Sequence, residues 1–157
     1  MIEQGQPLPN ASLSELTAEG FSSHDTAELF ANKKVVLFAV PGAFTPTCSE
    51  QHLPGYIALA DQFKAKGVDM IVCVSVNDAF VMKAWGDTTG AGEVRMLADG
   101  DASFTQAIGL SMDSGNFGGV RSQRYAMIVD NGVVTQLNVE PPKTFEVSKA
   151  EALLAAL

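Results

Sequence analysis

Cysteine, long apolar runs and positive charge are all scarce in this sequence, and each shortage removes a class of protein. Only Cys48 and Cys73 are present, too few for the multi-bridge framework of a disulfide-stapled domain. With neither a CxxC pair nor a histidine cluster, no zinc site is expected, and no cofactor is expected either. No run approaches the roughly 18 apolar residues of a membrane span. The start, Met1 to Gly5, lacks the basic and apolar stretches of a signal peptide. The expected compartment is therefore the cytoplasm, with no membrane partner. Ten basic residues against eighteen acidic ones give a formal charge of -8. That balance offers no phosphate-neutralising surface, so nucleic acid is not an expected partner.

What the chain does have is apolar content, 46% of 157 residues, enough to bury one sizeable core. A single domain spanning residues 1–157 is expected. Residues 1 to 34 read as short polar stretches with one helix near Asp25 to Asn32. The run Val35 to Val40 reads as a buried strand. After the Pro41-Gly42 turn signal, the pattern from Thr45 to Lys66 predicts a helix, kinked at Pro54 and closed by Gly67. Val68 to Val76 predicts a second buried strand, and Asp78 to Gly86 a short helix. Strand, helix, strand is a βαβ unit with parallel pairing and a right-handed crossover. Val94 to Leu97 and Ala102 to Ile108 suggest a further strand and helix, and "SMDSGNFGGVRS" a long loop. Asp130-Asn131-Gly132 divides two β-prone runs as a hairpin turn. Ser148 is placed to cap a C-terminal helix from Lys149 to Ala156. The order describes an α/β protein with a mixed sheet flanked by helices.

Chemistry gathers at "PGAFTPTCSEQH". Two capping registers fit: Thr45 as N-cap with Pro46 at the first helical position, or Thr47 as N-cap with Glu50 completing a capping box. Either puts Cys48 in the first turn, where unpaired N–H groups and the helix dipole favour a thiolate. Spacing alone leaves two readings open, a half-buried structural cysteine and a reactive one. A position at the carboxyl end of a strand adds weight to the second, because open α/β sheets bind ligands in that crevice.

Pro41, Thr45 and Cys48 match the P-x-x-x-T-x-x-C signature of peroxiredoxins. The stretches "VPGAFTPTCSEQHLPGY", "VSVNDAFVMKAW" and "RSQRYAMIVDNGVV" resemble the type II, or fifth-class, subgroup. The resemblance runs from about Pro7 to Leu157. It implies a thioredoxin-like fold and a thiol-dependent peroxidase in which Cys48 attacks a hydroperoxide and becomes a sulfenic acid. It implies that Thr45 hydrogen-bonds the peroxide oxygens and the sulfur, that Pro41 shields the site, and that Arg124 holds the thiolate. By itself Thr45 is equally an N-cap, and Arg124 a rim arginine paired with some carboxylate. Strand alternation puts Arg124 on the face of Ala126 and Ile128, opposite Tyr125, Met127 and Val129. Arg121 is a rival for the same role.

His52, four residues after Cys48, invites a Cys–His hydrolase reading. No third residue is evident to orient its ring, and the resemblance gives it a supporting role instead. His24 reads as a surface histidine. A sulfenic acid needs a reducing thiol, and Cys73 is the one internal candidate. Placed about three residues short of its strand's end, it would lie about 10 Å below the edge. A direct bridge would then require the helix start to unwind. The expected reductant is therefore external, glutathione with glutaredoxin, or thioredoxin. A slower redox relay docking through residues 111 to 122 is the alternative from a binding class. Phe80, Val81, Met82 and Trp85 on one short helix, together with the resemblance, predict a homodimer.

Overall fold

The computed structural model describes all 157 residues, Met1 to Leu157. Its strands are β1 (Ser12–Thr17), β2 (Gly20–Asp25), β3 (Lys34–Ala39), β4 (Met70–Ser75), β5 (Val94–Ala98), β6 (Ser111–Asp113), β7 (Val120–Ser122), β8 (Tyr125–Asp130) and β9 (Val133–Val139). Its α-helices are α1 (Thr26–Leu29), α2 (Leu53–Ala58), α3 (Ala60–Ala65), α4 (Ala79–Thr89), α5 (Ser103–Ala107) and α6 (Ala150–Ala155). Seven strands form one sheet in the order β2-β1-β5-β4-β3-β8-β9, and β6 pairs with β7 separately. β3, β4 and β5 run parallel, as the βαβ pattern predicts, while β8 adds antiparallel to β3 and β9 antiparallel to β8.

The central strands are buried on both faces, so side-chain alternation builds two cores. Val36, Phe38, Ile71, Cys73, Ala126 and Ile128 face the layer that carries Tyr56, Phe63, Trp85 and Leu153. Leu37, Val72, Val74, Tyr125, Met127 and Val129 face Phe30, Phe104 and Ile108. Burying a side chain of this size contributes roughly 1.5–3 kcal/mol, so the paired cores fix the sheet's register. The Asn131-Gly132 turn takes positive φ at both residues, 49° and 80°, as a tight hairpin between right-twisted strands requires.

Helical conformation begins at Pro46 and runs to α3. It ends as predicted: Gly67 has φ 89°, its N–H donates to Lys64 O, and the Val68 N–H donates to Phe63 O. That is a Schellman cap. The predicted kink at Pro54 takes a specific form, a π-helical turn over Cys48–His52 in which the Leu53 N–H reaches back to Cys48 O. Pro54 offers no N–H and its ring crowds the carbonyl of Glu50, and a wider turn just before it relieves that conflict.

Several sequence expectations are corrected. Residues 12–25 form the β1–β2 hairpin rather than polar coil. Its only buried positions are Leu13 and Glu15, too few to show a period of two. The helix after Asp78 continues past Gly86 to Thr89 and stops at Gly90, φ 73°. Gly86 lies inside it because a Cβ there would sit 2.7 Å from Met96 Cγ. "SMDSGNFGGVRS" contains the β6–β7 hairpin with a short 3₁₀ turn at Gly115–Phe117. Ser148 does not cap α6, whose N-cap is Lys149.

Candidate active site

β3 delivers the chain to Pro41 at the carboxyl edge of the sheet, and four residues turn it into the helix. The turn is held from β4's side, where Asn77 Oδ1 accepts from Ala43 N at 3.0 Å and from Ser75 Oγ at 2.6 Å. Phe44 takes φ 64° to complete it. Thr45 O accepts the first helical bond, from Ser49 N at 2.9 Å. Of the two predicted registers the structure adopts the first, Thr45 as N-cap with Pro46 following. Thr45 does not cap with its side chain, however. Its hydroxyl donates to Gly42 O at 2.7 Å, which leaves the oxygen's lone pairs available as acceptors.

Cys48 is completely buried, and Arg124 Nη2 donates to its Sγ at 3.0 Å. The other prong of the guanidinium, Nη1, meets His52 Nδ1 at 2.7 Å. A guanidinium can only donate, so Nδ1 accepts and the proton of the ring is on Nε2, which donates to Ser148 O at 3.0 Å. Burial, reinforced by the Arg124 charge, pulls His52 down to about 3. The imidazole is thus neutral and its tautomer fixed, and it holds the guanidinium rather than acting as a base. The strand face predicted for Arg124 is the observed one, with Ala126 and Ile128 in the same core as Cys48.

Aromatic rings close the apolar side of the cluster. Phe38 stacks on Tyr56 at 4.0 Å, His52 lies 5.1 Å from Phe145, and Arg124 sits 5.8 Å over the Phe145 ring. Tyr56 OH also donates to Ser148 O, at 2.7 Å. Outside this cage is a pocket of ≈ 730 Å³ whose floor is Pro41, Thr47 and Arg124 and whose wall is Pro141, Lys143 and Phe145. That wall is clasped by the buried Glu140 carboxylate, which accepts from Glu146 N, Ser148 N and Ser148 Oγ at 2.8, 2.8 and 2.6 Å, and from Thr144 Oγ1 at 3.0 Å. Burial pulls Glu140 up, but these donors outweigh it and hold the carboxyl below the usual range.

Pro41, Thr45, Cys48 and Arg124 therefore meet at one place, and no hydrogen bond joins Cys73 to them. Cys73 lies in β4 opposite Phe38, two residues before the strand ends, not three. It faces the same core as Cys48, and both thiols are free. Complete burial, with a smaller contribution from Cys48, pushes the Cys73 thiol well above its usual value, only partly offset by Arg124. Arg121 does not touch Sγ; its Nη1 donates to Pro41 O at 2.8 Å. His24 is not a free surface residue either, since it meets Glu15 Oε1 at 3.0 Å beside Arg95. Sequence reasoning missed Glu140, Phe145 and Ser148. The Pro141-Pro142 pair after a strand was the available signal for a fixed pocket wall.

Residues 3–154 match the Redoxin family, which places the chain among thioredoxin-like redox proteins with a mixed sheet between helices. It is 52% identical to "Peroxiredoxin-2E-2, chloroplastic" of Oryza sativa subsp. japonica over 163 residues, covering 99% of this chain and 72% of that one. It is 49% identical to Peroxiredoxin-2C of the same organism, covering 99% and 98%. Among solved structures, reduced Prx3 of Vibrio vulnificus in complex with H₂O₂ superposes with a TM-score of 0.98 at 74% identity over 99% of both chains. The chain belongs to the peroxiredoxins, and its activity is that of a thiol-dependent peroxidase with an antioxidant role.

Proposed function

We propose that Cys48 is the peroxidatic residue and that it reduces hydrogen peroxide and organic hydroperoxides within a single domain of residues 1–157. The observation that carries the assignment is the 3.0 Å hydrogen bond from Arg124 Nη2 to the buried Sγ. A charged donor favours the anionic sulfur, which is the nucleophile. The thiolate attacks one peroxide oxygen; the S–O bond forms as the O–O bond breaks. The departing oxygen leaves with the electron pair, takes a proton and becomes water or an alcohol. Arg124 stabilises the charge that moves onto the oxygens. Thr45, whose proton is committed to Gly42 O, orients the substrate by accepting its O–H. Pro41 keeps water from the sulfur. The apolar wall around Phe145 suits an organic hydroperoxide as well as hydrogen peroxide.

The sulfenic acid is reset by an external thiol, from glutathione with glutaredoxin or from thioredoxin. The first thiol forms a mixed disulfide with release of water, and the second releases Cys48. The protonated, strand-embedded Cys73 supports this over an internal partner. The protein works as a homodimer, for which exposed Phe44 and Phe80, next to the site and on α4, supply apolar surface. A reducing compartment, the cytoplasm, suits two unpaired cysteines, and subcellular fractionation tests it. The chemical test is intact mass of wild type and Cys73→Ser after one equivalent of peroxide, then glutathione. A sulfenic acid followed by a glutathione adduct in both proteins is expected. Peroxide consumption that survives Cys48→Ser refutes the assignment.

A further inference from the structure

Arg121 makes no contact with the reacting sulfur, yet the structure is built around its side chain. Two glycines flank the guanidinium. A Cβ on Gly42 would overlap Nη1, and a Cβ on Gly118 would overlap Nε and lie 2.5 Å from Nη2. Gly118 has φ −166°, extended backbone open to any residue, so a side chain there would meet no conformational bar but would push the guanidinium from its place. The Phe117 ring lies 5.2 Å from the guanidinium carbon. Nε is buried without a partner, an arrangement that forgoes one hydrogen bond to keep the group where it is. The bond that is made goes from Nη1 to Pro41 O at 2.8 Å.

Pro41 O belongs to the peptide that leads into Gly42, and Gly42 O is the acceptor of the Thr45 hydroxyl. Glycine at position 42 leaves the guanidinium room to lie where it does, and glycine is the residue least able to hold its own backbone. The same guanidinium that occupies this space fixes the peptide next to it. We propose that Arg121 is a positioning residue for the peroxide reaction: it holds the Pro41-Gly42 backbone from which the Thr45 hydroxyl takes its direction. The β6–β7 hairpin is thereby coupled to the helix start it faces. This rests on the roles assigned above to Cys48 and Thr45.

The test compares Arg121→Met, Arg121→Lys and Gly118→Ala, the last of which displaces the guanidinium without altering Arg121. Stopped-flow rate constants with hydrogen peroxide are measured beside the rate of Cys48 alkylation by iodoacetamide, which needs the thiolate but not Thr45. Arg121→Met and Gly118→Ala should slow the peroxide reaction roughly ten- to a hundredfold, the scale of a small misplacement near the reacting atoms. Alkylation should stay near the wild-type rate, and Arg121→Lys, which keeps one donor, should recover part of the loss. In a Thr45→Val background Arg121→Met should have little further effect, because both remove the same orientation. An unchanged peroxide rate, or the full loss repeated in Thr45→Val, overturns the proposal. Amide exchange at Ala43 separates it from the site assignment. Exchange that fails to quicken in Arg121→Met refutes the loop-holding role whether or not Cys48 proves peroxidatic.

Discussion

His52 gives the sharpest test of the buried network, because its state is fixed by geometry and titrates far from its usual range. In the folded chain the ring stays neutral down to about pH 3, whereas in the unfolded chain it binds a proton near the ordinary value of about 6.5. Between those limits the unfolded state holds more protons, so stability is present above pH 6.5 and is lost as pH falls. At 1.36 kcal/mol per pH unit, the loss reaches ~3 kcal/mol by about pH 4. His52→Gln keeps an acceptor for Arg124 and a donor for Ser148 O but does not titrate. Its stability difference between pH 7 and pH 4 should be smaller than that of wild type by ~3 kcal/mol. The Glu140 carboxylate also loses stability on acidification, its position being depressed, but it does so in both proteins and cancels. Urea unfolding followed by the emission of Trp85, the one tryptophan, measures both curves. Trp85 is suited to this because its Nε1 donates to Ser49 Oγ at 2.9 Å, beside Cys48. Parallel curves for the two proteins would mean that His52 titrates normally in the folded state, and the neutral-imidazole account would be wrong.

Arg124→Met should slow the peroxide reaction by roughly 10²- to 10³-fold, the usual loss for one preorganised donor. Arg124→Lys should recover little, since one ammonium cannot replace a planar fork that serves Sγ and His52 Nδ1 together; stopped-flow rates decide both. Cys73→Ala should leave peroxide reactivity and glutathione recycling unchanged while lowering stability by about 1 kcal/mol for the lost buried sulfur, and a steady-state assay that shows turnover lost would restore Cys73 as a reductant.

The parts of the fold legible in the sequence were those decided by local pattern. β3 and β4 are runs of apolar residues buried on both faces, and Asn131-Gly132 and Gly67 carry their backbone demands in their identity. The parts that were not legible depend on distant partners. Glu15 interrupts the apolar alternation of β1, yet it is buried because Arg95, 80 residues on, pairs with it at 2.6 Å. Gly86 reads as a helix stop until Met96 is seen to need its space. The site divides the same way. Thr45 and Cys48 are three residues apart and their spacing speaks for them, whereas Arg121, Glu140 and Ser148 act across loops that only the folded chain brings together. Ser148 in particular looked like a helix cap because a serine before a helix usually is one, but the helix starts one residue later, from Lys149, and the Ser148 hydroxyl is turned to donate to the Glu140 carboxylate.

The π-helical turn has a consequence for how the chain tolerates changes of length. Such a turn holds one residue more than an α-helix would need between the same ends, and that surplus lies between Cys48 and Leu53. Deleting a single residue there would let the helix relax to ordinary winding while its two ends keep their places, because the bulge is what absorbs the extra residue. The thiol and the imidazole now share one guanidinium, and closing the bulge between them would put them three residues apart on the helix instead of four. The cost of such a deletion would therefore be local, confined to the fork that joins the two side chains, while the helix on either side keeps its packing.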